Sequence, residues 1–171
     1  APAAREWLHW ACGGDPLPPL PHGAGGRRVL FVDNLDSFSL NIVNVCAMLG
    51  AEVVIVAGRG GSSPSVDEVL AGVQPTHILL GPGPGRPEVS ALTMGLAGRA
   101  LDGQLGNVPL LGVCLGHQAL GLAHGWKVLP SPLGAVHGVP EDVYHDGSML
   151  FVGLPQPARM VRYNSLVVDP P

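Results

Sequence analysis

The sequence predicts an α/β fold: an open, mainly parallel, twisted sheet with flanking helices. Three observations carry that prediction. Short apolar runs recur along the chain, such as Val29–Val32, Val53–Val56 and His77–Leu80, and helix-period segments separate them. Alternation of this kind builds βαβ units, whose right-handed crossovers make the strands parallel. The composition agrees: 46% of the 171 residues are hydrophobic and only 13% are charged, which suits a packed core rather than a solvated chain.

Along the chain, residues 11–28 ("ACGGDPLPPLPHGAGGRR") are dense in Gly and Pro and show no periodicity. They read as a linker or an irregular N-terminal extension, so residues 1–28 are set apart from a domain over 29–171. Val29–Val32 is the first strand. Asp36 or Ser37 is placed to cap the next helix, with an apolar face of Phe38, Ile42, Val45, Cys46 and Leu49. Gly50 suits the left-handed position after a helix end, and Val53–Val56 is the second strand. "SVDE" (Ser65–Glu68) has capping-box spacing before a short helix. His77–Leu80 is a third buried strand, followed by the loop "GPGPGRPE", a helix over Ala91–Leu101, a buried strand over Val108–Val113 and a helix over Leu115–Ala123. From Lys127 onward the pattern changes to short strands and turns: "KVLP", "EDVYHDGS", "RMVRY" and "SLVVD".

The charge pattern excludes some functions. The formal net charge is −4 and no Lys/Arg cluster exceeds the pair Arg27–Arg28, which argues against nucleic acid, since phosphate binding needs a concentrated basic face. No apolar run approaches the ~18–20 residues of a membrane span. "APAAREWLHWACGG" lacks the continuous apolar core of a signal peptide. Cys12, Cys46 and Cys114 are odd in number and without CxxC spacing, which favours reduced thiols in a cytoplasm over a disulfide framework or a zinc site. "DNLDSF" carries charge but no metal spacing, and no nucleotide motif is present, so the domain is expected to hold neither metal nor cofactor.

The candidate functional residue is Cys114, in "LLGVCLGHQALG". It stands on the corner between a strand and a helix start, where ligands collect in parallel sheets. The helix dipole and free N–H groups of a first turn favour an anion there, a thiolate included. Gly112 and Gly116, two residues to either side, reproduce the spacing of a nucleophile elbow, whose strained turn needs small neighbours. The N–H of Leu115 points where an oxyanion would develop. Cys46, on an apolar helical stripe, reads as core, and Cys12 is uninformative. The loop "LLGPGPGRPE" rises at the same sheet edge, and one of its glycine N–H groups could complete the oxyanion hole; a plain rigid connection is the alternative.

At these residues the sequence resembles a known family. "GVCLGHQ" is similar to the nucleophile motif of class I (triad-type) glutamine amidotransferases. "VDNLDSFSLNIV", "GPGPGRPE", "VHGVPEDVYHDGSMLFVGLP" and "RYNSLVVD" resemble, in order over about residues 29–169, the branch that holds the glutaminase components of anthranilate synthase and aminodeoxychorismate synthase. The resemblance implies a flavodoxin-like sheet domain in which Cys114 attacks the side-chain amide of L-glutamine, forms a thioester and releases ammonia. It implies that Gly83 and Leu115 hold the oxyanion. Gln118 would bind the substrate's amino-acid end, and Gly83, Pro84, Gly85, Ser165 and Leu166 would line the rest of the pocket. The ammonia would pass to a chorismate-binding synthase, fused or separate, that makes anthranilate, aminodeoxychorismate or aminodeoxyisochorismate.

Three departures stand beside the resemblance. The family's catalytic His and Glu lie on a His-Pro-Glu segment beyond the "RYHSL"-like motif, and no such segment occurs in these 171 residues. The domain is therefore expected to be C-terminally incomplete: part of a longer polypeptide, lacking a final segment, or without its base. His117 is expected to orient or pack, since the helix fixes it beside the nucleophile, and His9, His22, His77, His124, His137 and His145 are expected on surfaces or in turns. Asn164 stands where the family has His, as would fit the phenazine-pathway aminodeoxyisochorismate synthase glutaminase, and Val139 replaces a Lys after "HG", in a neighbourhood that faces the synthase in the family. The alternative to an enzyme is a catalytically incomplete glutaminase-like binding or regulatory subunit. A thiol hydrolase or redox sensor gives Gln118 and "RYNSL" no duty.

Overall fold

The computed structural model describes residues 26–60 and 64–171, so most of the expected linker lies outside the described residues. Four parallel strands form the main sheet in the order β2-β1-β3-β4: β1 Arg28–Asp33, β2 Glu52–Ala57, β3 His77–Leu80 and β4 Leu110–Gly112. Four helices connect and cover it: α1 Ser39–Met48, α2 Val66–Val73, α3 Ala91–Leu101 and α4 Leu115–Ala123.

The continuous apolar runs have a simple cause, since a strand covered on both faces must be apolar at every position. In β1, Leu30 and Val32 pack with Ile78 and Leu80 of β3 under Val69 of α2, Leu92, Leu96 and Ala97 of α3 and Ala119 of α4. The alternate residues Val29 and Phe31 join Leu79 under Ile42, Val43 and Cys46 of α1. The period of two along each strand thus divides one run between two core layers. α2 starts as expected: the Ser65 hydroxyl accepts from the Glu68 N–H and the Glu68 carboxylate accepts from the Ser65 N–H, a complete capping box.

The later stretch forms two antiparallel ribbons. β5 Lys127–Pro130 pairs with β8 Leu166–Asp169, and β6 Val136–Val143 pairs with β7 Ala158–Asn164. "EDVYHDGS" divides: Glu141–Val143 ends β6, and a turn follows in which the Ser148 N–H and hydroxyl donate to Asp146, holding its carboxyl below the usual carboxylate range.

Three expectations change. Neither Asp36 nor Ser37 caps α1; the N-cap is Phe38, with no side-chain cap, and Asp36 instead accepts from the Phe38 N–H at 2.9 Å in a turn before the helix. The apolar face is narrower than the periodicity suggests, since Phe38 and Val45 are exposed. The expected buried strand over Val108–Val113 is only Leu110–Gly112, and Leu111 is 43% exposed. β4 is the edge of the four-stranded sheet, and although Leu111 pairs in register with the buried Leu79, the core cluster that holds Leu79 under α1 does not include Leu111.

Candidate active site at the Cys114 turn

Cys114 joins β4 to α4 with φ +52° and ψ −106°, a conformation rare for any residue with a side chain. Its neighbours explain how the turn is held. A Cβ on Gly112 would stand 2.5 Å from the backbone carbon of Gly116, and a Cβ on Gly116 would stand 2.2 Å from the carbonyl oxygen of Leu80. Strand end, turn and first helical turn therefore pack backbone to backbone, which only glycine allows at those two positions. The Val113 N–H donates to the Leu80 carbonyl at 2.9 Å and completes the junction with β3.

The turn exposes Cys114 while Leu115 and Gly116 behind it are buried. Leu115 is the first residue of α4, so its N–H is one of the helix donors with no intrahelical acceptor. Gln118, one turn on, is 7% exposed, and its Oε1 is buried without a hydrogen-bond partner among the described residues. A buried acceptor of this kind costs free energy until something donates to it.

A cavity of about 310 Å³ opens over this turn. One wall is Cys114, His117 and Gln118; the other is Tyr163 and Asn164 of β7 and Leu166, Val167 and Val168 of β8. β8 reaches the cavity because Gly121 of α4 lets Val168 approach, a Cβ there being only 2.6 Å from Val168 Cγ1. Asn164 is held from both sides: its Oδ1 accepts from Arg162 Nε at 2.9 Å and its Nδ2 donates to the Leu166 carbonyl at 3.2 Å. Arg162 also donates to the Glu141 carboxylate at 3.1 Å.

Of the expected site residues, the cavity brings together Cys114, Gln118 and Leu166, with Leu115 directly behind the thiol. Ser165 lies between two wall residues, but its Oγ is 3.1 Å from His137 Nε2. Gly83, Pro84 and Gly85 do not line this cavity; they follow Leu80, the residue against which Gly116 packs, on a neighbouring loop. His117 is exposed in the cavity wall rather than packed. His137 is exposed as expected, on β6, with its ring stacked on Tyr163, centroids 4.4 Å apart. His145 keeps its turn role, accepting from the Gly147 N–H at 3.0 Å.

Sequence reasoning missed Tyr163, Val167 and Val168 as wall residues. "RYNSL" contained a signal for the first, since an aromatic two residues from the noted Ser165 shares its strand region, but nothing local marks the two valines. Cys46 is half-buried against the α1-side core, where burial pushes its thiol up. Among the described residues no group of three or more His, Cys, Asp and Glu could hold a metal ion, and no helix is long and apolar enough to cross a membrane.

Comparison with known proteins decides the family. Residues 30–171 match the family described as "Glutamine amidotransferase class-I". The chain belongs to the class I glutamine amidotransferases. Within that family it is 42% identical over 150 residues to anthranilate synthase component 2 of Thermus thermophilus, covering 86% of this chain and 69% of that protein. It is 34% identical over 142 residues to aminodeoxychorismate/anthranilate synthase component 2 of Bacillus subtilis, covering 83% and 69%. It is likewise 34% identical over 142 residues to aminodeoxychorismate synthase component 2 of Escherichia coli, covering 83% and 71%. A solved glutamine amidotransferase from Thermotoga maritima superposes with a TM-score of 0.66 at 17% identity, over 86% of this chain and 64% of that one, a likeness of fold. The strained cysteine turn of this amidotransferase domain thus sits where the doubly wound sheet concentrates its chemistry.

Proposed function

We propose that the domain is a glutaminase that hydrolyses L-glutamine through a thioester on Cys114 and delivers ammonia to a chorismate-utilising synthase. The observation that carries this reading is the Cys114 turn, which presents an exposed sulfur to a cavity where the Gln118 Oε1 is buried without a donor among the described residues. An α-ammonium group of the substrate would supply that donor. The thiolate then attacks the side-chain amide carbon, and the oxygen that becomes negative is held by the N–H groups of Leu115 and Gly83. The proton given up by the Cys114 thiol ends on the amide nitrogen, collapse breaks the C–N bond and releases ammonia, and water cleaves the resulting thioester to glutamate and restores the thiol. Pro84, Gly85, Ser165 and Leu166 complete the pocket in this scheme. The domain uses no metal or cofactor of its own, and the residues ahead of β1 serve as a linker or extension. Unpaired Cys46 and Cys114 suit a reducing cytoplasm.

The names of the relatives support a synthase partner, since each is a component 2. Which amino-substituted ring is made is a question for that partner. A second reading, a glutamine-binding or regulatory subunit, is favoured by one observation: His117, fixed on the helix beside Cys114, is the one histidine in the cavity wall among the described residues.

Incubation with a glutamine-like chloroketone, followed by intact mass and peptide mapping, separates these readings from a non-functional pocket. A single adduct on Cys114 is the expected result. No adduct, with Cys114 still open to iodoacetamide, means that the glutamine site is not assembled. Steady ammonia release from glutamine then distinguishes enzyme from binding subunit.

A further inference from the structure

We propose that Asn34, with Arg59 as a second anchor, positions the loop of residues 81–85 that supplies the Gly83 oxyanion donor. The proposal rests on the oxyanion role given to Gly83 above. Asn34 follows β1 and is fully buried, although it is neither in the cavity wall nor near Cys114 in sequence. Its Nδ2 donates to the Gly81 carbonyl at 3.0 Å, and its Oδ1 accepts from the Thr93 hydroxyl at 3.1 Å. A main-chain carbonyl can only accept, so the amide is oriented one way. The Ser90 hydroxyl, 2.8 Å from Thr93 Oγ1, donates to the Gly58 carbonyl at 2.7 Å, which ties the same group to the end of β2.

The loop lies directly on this residue. A Cβ on Gly83 would stand 2.5 Å from the Asn34 Cβ and 2.6 Å from its carbonyl oxygen. Further along the loop the Arg59 guanidinium donates to the Pro84 carbonyl. The Gly81 and Pro84 carbonyls are thus both tied, and Pro82 and Pro84 have fixed φ. Gly83 is the residue between them with free torsions, and contact with Asn34 removes that freedom. A donor that must meet an oxyanion within a few tenths of an ångström needs such preorganisation.

The test compares the intact protein with its Asn34→Ala, Thr93→Val and Arg59→Ala variants. The probe is glutamate γ-semialdehyde, to which the Cys114 thiol adds: a C–S bond forms, the carbonyl π bond opens, and the thiol proton ends on the new oxygen or in solvent. Expected are semialdehyde affinity weakened ~10-fold or more and kcat lowered ~10–100-fold with KM within ~2-fold. L-Glutamine affinity, measured in a Cys114→Ala background, should stay within ~2-fold, a split that general loss of structure would not produce. Should Asn34→Ala fail to fold, the Thr93 and Arg59 variants carry the test. Variants that bind the semialdehyde as tightly as wild type overturn the positioning role. A wild type that binds it no tighter than glutamine overturns the oxyanion reading itself, and the inference with it.

Discussion

Gly116 is seated so closely against Leu80 that a Cβ on it would stand 2.2 Å from the Leu80 carbonyl oxygen. That contact joins the Cys114 turn to the end of β3, from which the loop of residues 81–85 departs. Two segments far apart in sequence are thereby locked backbone to backbone, and the geometry of any oxyanion hole depends on the lock.

Gly116→Ala tests the lock. Neither the Leu80 carbonyl nor the helix can yield cheaply, so unfolding free energy should fall by ~2–3 kcal/mol. Chloroketone labelling of Cys114 should slow at least ~10-fold in protein that remains folded. Urea unfolding and timed mass spectrometry check both.

Cys114→Ser should abolish glutamine-dependent product formation, by ~10³-fold or more, and leave synthesis from free ammonia by the synthase partner intact. Assays with glutamine and with ammonium salts decide it. Equal survival of both activities would remove Cys114 from the mechanism.

Cys46→Ser should lower stability by about 1 kcal/mol, because the site is half-buried and a hydroxyl there gains no assured partner. Burial raises the folded-state thiol above its ordinary value. The stability it contributes is therefore present below ~8.5, the usual thiol value, and lost as pH rises through the higher folded value. Wild type should lose its advantage over the variant between pH 7 and pH 10 in urea denaturation.

Ser65→Ala should cost about 1 kcal/mol by removing the cap of α2. Hydrogen bonds from Ser65 hold the Glu68 carboxyl below its ordinary value. Its contribution is thus present above ~4.3 and fades as pH falls through the lower folded value. The difference in thermal midpoint between wild type and Glu68→Gln should be constant from pH 8 to pH 5 and shrink in more acidic solution.

Arg162→Ala frees Asn164 on one side while removing a partly exposed ion pair with Glu141. The pair itself contributes ~1 kcal/mol or less, so the melting temperature should move little. Glutamine KM should rise ~3–10-fold as the cavity wall loses its fixed amide. Steady-state kinetics beside a thermal scan would separate the two effects.

The order of strands and helices through residue 123 was legible because each signal is local. The apolar runs of β1 to β3, the Ser65–Glu68 box and the glycines around Cys114 act within a few residues of themselves. The misreadings also have a physical source. Leu111 has the apolar character of a core strand, but its burial depends on a neighbour beyond β4, which no residue of its own run encodes. Phe38 obeys the helical period yet stands at the cap, because Asp36 takes the Phe38 N–H into a turn first.

The sequence by itself determined that this is a parallel α/β domain, that Cys114 stands on its sharp corner, and that its motifs are those of a class I glutamine amidotransferase. Tertiary structure alone decided what faces the sulfur. Tyr163 and Asn164 enter the cavity through pairing of β6 with β7, while β8 arrives through β5 and the gap above Gly121. Asn34 likewise has its place under the loop only because β1 and β3 are neighbours. Such contacts join residues tens of positions apart, and no periodicity within either segment carries the other's address.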